Sequence, residues 1–215
     1  MQTSPKVVIA GTGYTQLFCE IKENFELDDS HMNCIGFLDD NIQNRSRKLM
    51  GGNIVGGFSW IKDHKDVLVL NSIMRSMELR KRTTQILMKH GAAFASFIHH
   101  SSFTHQLNIS EGTFVSKFVS IEPNVDIKEH CCILASSVIA HDSILGPYCF
   151  LGHGVHIQGG VEIGEGCFIS AGSVILPGVK IGEYSHISPN SVIGYDVPPH
   201  SKMFTNFARR INGAQ

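Results

Sequence analysis

Every sixth residue from Ile109 to Ile193 is aliphatic: Ile109, Val115, Ile121, Ile127, Ile133, Ile139, Leu145, Leu151, Ile157, Ile163, Ile169, Ile175, Ile181, Ile187 and Ile193. Four positions after each of these stands Thr, Val, Cys or Ser, from Thr113 to Val197. A period of six fits neither an amphipathic helix nor an alternating strand. It fits short flat strands joined by tight corners, three to a coil, stacked as a triangular prism with one large and one small inward side chain per unit. The fifteen units make five coils, spaced at roughly the 4.8 Å of neighbouring strands.

An eighteen-residue coil places Cys131, Cys149 and Cys167 in one column, in the small inward slot that Thr113 and Ser185 fill elsewhere. We read these cysteines as packing. The six cysteines of the chain form no CxxC pair, and reduced thiols are expected, with no metal cluster. His153 and His156 have an HxxH spacing, but both fall on outward positions and no third ligand follows from the pattern.

Composition removes several classes of function. The 215 residues carry a formal charge of −1, which offers no basic field for nucleic acid. No apolar run approaches the roughly 18 residues of a membrane span. The start, Met1 to Lys6, lacks a secretory leader, so a cytoplasmic location is expected.

The first half reads differently. Residues 6–11 form an apolar run ending at Gly11, followed by Thr12-Gly13-Tyr14 and then Leu17, Phe18, Ile21 and Phe25 at helical spacing. A second run, residues 34–38, ends in Asp39-Asp40, and a third spans Val67–Leu70. A helix is expected from about Arg75 to His90, with a fourth strand over Phe94–Ile98. This is a small α/β unit of Rossmann-like pattern, but its GxG is incomplete, because Gln16 stands where a dinucleotide fingerprint has glycine. Gly11 and Gly13 serve either a tight turn or a phosphate contact. Asp39 and Asp40 are either a solvated strand end or a nucleotide contact.

The order of motifs, Gly36-Phe37-Leu38-Asp39-Asp40, then Ile98-His99-His100-Ser101, then hexapeptide repeats with His141-Asp142, resembles the sugar acyltransferases of the sialic acid O-acetyltransferase and bacillosamine-pathway N-acetyltransferase family. The resemblance covers nearly the whole chain. It implies an α/β N-terminal Rossmann-like domain (1–107) for the sugar nucleotide, a left-handed parallel β-helix acyltransferase domain (108–198) and a C-terminal tail (199–215). It further implies a homotrimer with acyl-CoA, usually acetyl-CoA, between subunits, and transfer to a nucleotide-linked 4-amino-4,6-dideoxy sugar in surface-glycan synthesis. Transfer to a sugar hydroxyl, or a non-catalytic sugar-nucleotide scaffold, are the alternatives.

In the same resemblance His141 is the general base, Asp142 orients it, and Gly159 donates its N–H to the oxyanion. Phe150, Gly159 and Ala171 fall to the cofactor, and Gly11, Gly13, Tyr14, Asp39 and Asp40 to the sugar nucleotide. An imidazole with a pKa near 6.5 suits the proton transfer that a sugar amine needs before it attacks a thioester. The repeat register adds that His141 faces outward and that its counterpart one coil later is Gly159. Three motifs depart from the family: the glycine-rich start, Phe150 where a second histidine is usual, and Thr205-Asn206-Phe207-Ala208 where Gly-x-Pro-Ala is usual. Arg209 and Arg210 beyond them read as a CoA-phosphate contact or a solvated tail.

Overall fold

The computed structural model describes residues 4–27, 32–41, 43–44, 49–104 and 108–205. Residues 206–210 of the C-terminal motif and arginine pair lie outside the described residues. The N-terminal part runs β1 (Lys6–Ala10), α1 (Gln16–Leu27), β2 (Asn33–Leu38), β3 (Ile54–Gly56), β4 (Val67–Asn71), α2 (Met77–Lys89) and β5 (Ala93–Phe94). These strands form one parallel sheet in the order β3-β2-β1-β4-β5. Strand order reverses between β1 and β4, the switch point at whose C-terminal edge doubly wound sheets bind ligands. β1 is buried along Val7 to Ala10, as a central parallel strand covered on both faces must be.

α2 begins where Ser76 accepts a hydrogen bond from the Leu79 N–H, an N-cap that fixes its start just after Arg75. The expected strand over Phe94–Ile98 divides. Ala93–Phe94 completes the N-terminal sheet, with Ala95 N–H donating to Val69, while Phe97 N–H donates to Thr113 and opens the prism. The two layers therefore exchange the chain within three residues. β3, only three residues long, is too short to leave a periodic pattern in the sequence.

The prism has three parallel faces. The first is seven-stranded, from Phe97–Ile98 to Lys202–Met203; the second six-stranded, from Phe103–Thr104 to Val192–Ile193; the third five-stranded, from Asn108–Ile109 to Lys180–Ile181. Two strands thus precede residue 108, where the repeat reading opened the second domain. They escape the period because Ile98 pairs with Val115 and Thr104 with Ile121, seventeen residues apart rather than eighteen.

Inward aliphatics from Val115 to Ile193 make one continuous buried column. The cysteine slot is packed as expected: Cys131, Cys149 and Cys167 are buried free thiols, donating to the carbonyls of Gly146, Gly164 and Gly182 at 3.2, 3.0 and 3.1 Å. The corners explain the remaining regularity. Every sixth residue from Gly112 to Asn190 has positive φ, the left-handed bend that glycine takes freely and that Asn and Asp accept better than other side chains.

The first face is covered. Outward Phe114, Cys132, Phe150 and Phe168 pack with Val7, Ile9, Leu17 and Phe37 in one apolar layer between the prism and the N-terminal sheet. Arg80 of α2, fully buried, pins the two together: Nε donates to the His130 carbonyl at 2.8 Å, and its terminal nitrogens donate to Asn71, Ile73 and Gly112.

Candidate active site

His141 stands at the corner between the second and third faces, on the turn from Val138–Ile139 to Ile144–Leu145. Its Nδ1 lies 2.7 Å from Asp142 Oδ2. Asp142 holds the left-handed position of the turn, with φ of 60°, so the corner geometry throws its carboxylate back beside the preceding side chain. Both side chains are open to solvent, at 62% and 59% of their area.

The coil below braces the pair. Asn124, eighteen residues before Asp142, donates from Nδ2 to Asp142 Oδ1 at 3.0 Å, and the His141 N–H donates to Glu122 Oε2 at 3.0 Å. Neither Asn124 nor Glu122 was singled out in the sequence. The eighteen-residue register that led from His141 to Gly159 leads equally from Asp142 to Asn124, and it was the available signal. The hydrogen bond that the His141 ring donates to Asp142, aided by the charge of Glu122, raises the His141 pKa above the ordinary histidine value. The Asp142 pKa is lowered by its bonds to His141 and Asn124. No lysine or arginine among the described residues acts on either group.

The coil above leaves room. A Cβ on Gly159 would lie 2.8 Å from both Cε1 and Nε2 of His141, so the imidazole rests directly against the glycine backbone. Beyond it Gly160 and Gly178 would meet nothing within 4 Å. The Gly159 N–H makes no hydrogen bond among the described residues. The equivalent N–H one coil earlier, on His141, reaches an outward carboxylate, so this row of N–H groups points away from the prism.

Other expected site residues are placed elsewhere. Phe150 is 7% exposed and its ring stacks on Phe168 at 4.3 Å inside the covered first face. Its side chain faces outward from the prism, which on this face means under the N-terminal sheet. Ala171 is exposed on the corner between the first and second faces, not on the His141 corner.

At the sheet's C-terminal edge, Gly11 takes φ of 90° and donates its N–H to Leu38, which makes it the tight turn after β1. Gly13 has open space around its α-carbon. Tyr14 packs edge-on against Phe114 at 6.0 Å, and burial pushes its phenol up to about 12. Asp39 is engaged by Thr12 and Asn44 through Oδ2 and by the Asn41 N–H through Oδ1. Asp40 is exposed and caps the 3-10 turn Phe58–Asp63 through the Phe58 N–H. Both aspartates thus order loops at the C-terminal edge of the sheet.

One group of three possible metal ligands occurs among the described residues: Glu23, His99 and His100, with ligand atoms within 4.8 Å of one another. Lys117 already pairs with Glu23, and the Ser101 N–H donates to His99 Nδ1 at 3.2 Å. Neither His153 nor His156 belongs to it.

Residues 142–177 and 166–195 match the bacterial transferase hexapeptide family (six repeats). No curated protein sequence matches the chain. Among solved structures, the chain is similar to perosamine N-acetyltransferase from Caulobacter crescentus, in complex with CoA and GDP-perosamine, with a TM-score of 0.80, 24% identity and 92% of each chain covered. It is similar to the acetyltransferase domain of PglB from Neisseria gonorrhoeae, in complex with acetyl coenzyme A, with a TM-score of 0.79, 16% identity and coverage of 93% and 95%. WeeI from Acinetobacter baumannii gives 0.78 at 20% identity, covering 91% and 94%. These likenesses show the fold over both layers of the molecule.

Proposed function

We propose that the chain is an acyl-CoA-dependent N-acyltransferase that transfers an acetyl group to the amine of a nucleotide-linked 4-amino-4,6-dideoxy sugar, with His141 as general base. The observation that carries this reading is the oriented imidazole: Asp142 occupies Nδ1, so Nε2 is left to take a proton beside Gly159. The CoA and GDP-perosamine held by the Caulobacter neighbour support the class of both substrates.

In this mechanism His141 Nε2 removes a proton from the attacking nitrogen as the C–N bond forms, then returns it to the departing sulfur as the C–S bond breaks. The outward Gly159 N–H donates to the oxygen that becomes negative in between, a contact worth roughly a hundredfold in rate. Two carboxylates and no basic residue act on His141 among the described residues. Such a field favours an amino sugar, which sheds its ammonium proton to water and attacks as the free amine, over a carboxylated one.

The layout supports a homotrimer. Within one chain the N-terminal unit covers the first face, while the base stands on the corner opposite, between the second and third. A sugar nucleotide held at the Rossmann-like edge of one subunit would meet the base of a neighbour, with acyl-CoA along the free corner past Gly160 and Gly178. The left-handed sense of the coil, a cytoplasmic location and a place in surface-polysaccharide synthesis belong to the same reading. No helix among the described residues is long and apolar enough to cross a membrane.

The test is thiol release from acetyl-CoA against UDP-, dTDP- and GDP-linked 4-amino-4,6-dideoxy sugars, with wild type and His141→Asn in parallel. Turnover with one sugar, reduced by roughly 100-fold to 10,000-fold in the variant, is the expected result. Silence across the panel with CoA binding intact by calorimetry refutes the acceptor class. Silence without CoA binding refutes the reading altogether.

A further inference from the structure

We propose that Asn124 is a positioning residue for the base, acting through Asp142. The inference rests on the function proposed above for its catalytic consequence, although its structural core does not. Asn124 and Asp142 occupy consecutive left-handed corners, each with φ of 60°, so one side chain stands directly beneath the other. The Asn124 amide donates to Oδ1 of Asp142, and Oδ2 faces His141 Nδ1. The direction of that bond is forced, because the alternative amide orientation would set two acceptor oxygens together.

The need for a brace follows from exposure. Asp142 is 59% open, and the residue above it in the column is Gly160, which offers no side chain. With Oδ1 unheld, the carboxylate would rotate between water and the imidazole, and the ring would lose its fixed tautomer. An amide does not titrate, so Asn124 supplies the same constraint at every working pH. The charged groups facing the imidazole are Asp142 on its own turn and Glu122 from the coil below. Glu122 bonds the backbone N–H and leaves the ring free to turn. Among the described residues of the coil below, Asn124 is the one hydrogen-bonded to the carboxylate that holds the ring.

The decisive variant is Asn124→Gly, because glycine accepts the left-handed corner without strain and removes only the side chain. Nitrogen-15 NMR of His141 reads the ring directly. In the wild type Nδ1 carries the proton of the neutral ring and Nε2 is bare. In Asn124→Gly the two tautomers should mix and the imidazole pKa should fall toward the ordinary value. With the accepted sugar nucleotide, kcat/KM should drop roughly tenfold, part of the hundredfold that an ångström of misplacement costs. The KM for acetyl-CoA should stay unchanged, and the acid limb of the pH profile should move to lower pH. An unchanged tautomer and pKa overturn the proposal, and so does an altered ring with full activity. If the wild type acylates no sugar in the panel, the functional reading fails, while the NMR comparison still decides whether Asn124 orients the ring.

Discussion

The covered corner of the prism, where His130 and Tyr148 lie against α2, and the free corner, where Asn124 and Asp142 lie, share one eighteen-residue spacing and one left-handed backbone. Each presents a histidine, His130 on the bend itself and His141 just before it. The His130 ring is 1% exposed, stacks on Tyr148 at 5.1 Å, meets the edge of Phe94 at 4.8 Å and has no hydrogen-bond partner on either nitrogen. Burial, reinforced by the Arg80 charge, pushes its pKa down to about 4. His141, in solvent and bonded to a carboxylate, is shifted the other way. The repeat sets where a side chain points, and what lies over that face sets its chemistry.

The largest expected effect breaks the covered corner. Arg80→Met removes a buried guanidinium that serves four carbonyls in both layers, leaving them unpaired in a dry interface. Urea unfolding should show a loss of about 3–5 kcal/mol. Arg80→Lys should recover little, since a single ammonium cannot reproduce the planar fork. A loss under about 1 kcal/mol would mean that the apolar layer holds the units together without the arginine.

The next concerns His130 and has a definite sign. Its folded pKa lies near 4, and the unfolded ring titrates near 6.5, so below that value the unfolded chain binds a proton that the folded chain refuses. Stability from this group is complete above about pH 6.5 and falls as pH drops toward 4, by about 3 kcal/mol in all. His130→Asn keeps a residue tolerant of the φ of 59°. The gap in unfolding free energy between wild type and variant should narrow between pH 7.5 and 4.5. Parallel curves would show that His130 is not the source of the slope.

Gly159→Ala sharpens the free corner. Its added Cβ would strike the tip of the His141 ring, and a displaced base costs on the order of a hundredfold in kcat. Gly159 does not need a left-handed backbone, so the melting temperature should hardly change. A fully active alanine variant would show that the ring need not rest against the glycine.

Legibility in the sequence follows the same division. The prism was readable because one position in six must be large and apolar, a period no other element produces. The stacking of Gly159 over His141 was readable because register arithmetic places positions eighteen apart one above the other, whereas the roles expected of His141, Asp142 and Gly159 came from the resemblance. The burial of Phe150 was not legible, because a repeat position that points out of the prism looks the same in sequence whether solvent or another layer covers it. Arg80 was invisible because a cation on a helix reads as solvated, and its carbonyl partners lie 7, 9, 32 and 50 residues away. The hand-over at residues 95–97 was lost because two strands of different sheets adjoin within one apolar stretch.

The smallest and most discriminating change is Asp142→Asn, which keeps a side chain suited to the left-handed corner and removes only the charge. The bond that the His141 ring donates to Asp142 is the main reason that His141 holds its proton to higher pH than an ordinary histidine. A general base works only when neutral, so wild-type kcat/KM should fall as pH drops through that raised value. In the variant the imidazole loses its anionic partner, and the acid limb should move to lower pH. The plateau above it should also fall, because a less basic ring accepts the proton less readily. A lower plateau with an unmoved limb would mean that Asp142 only orients the ring, and Glu122 would then remain as the carboxylate that keeps the proton on His141.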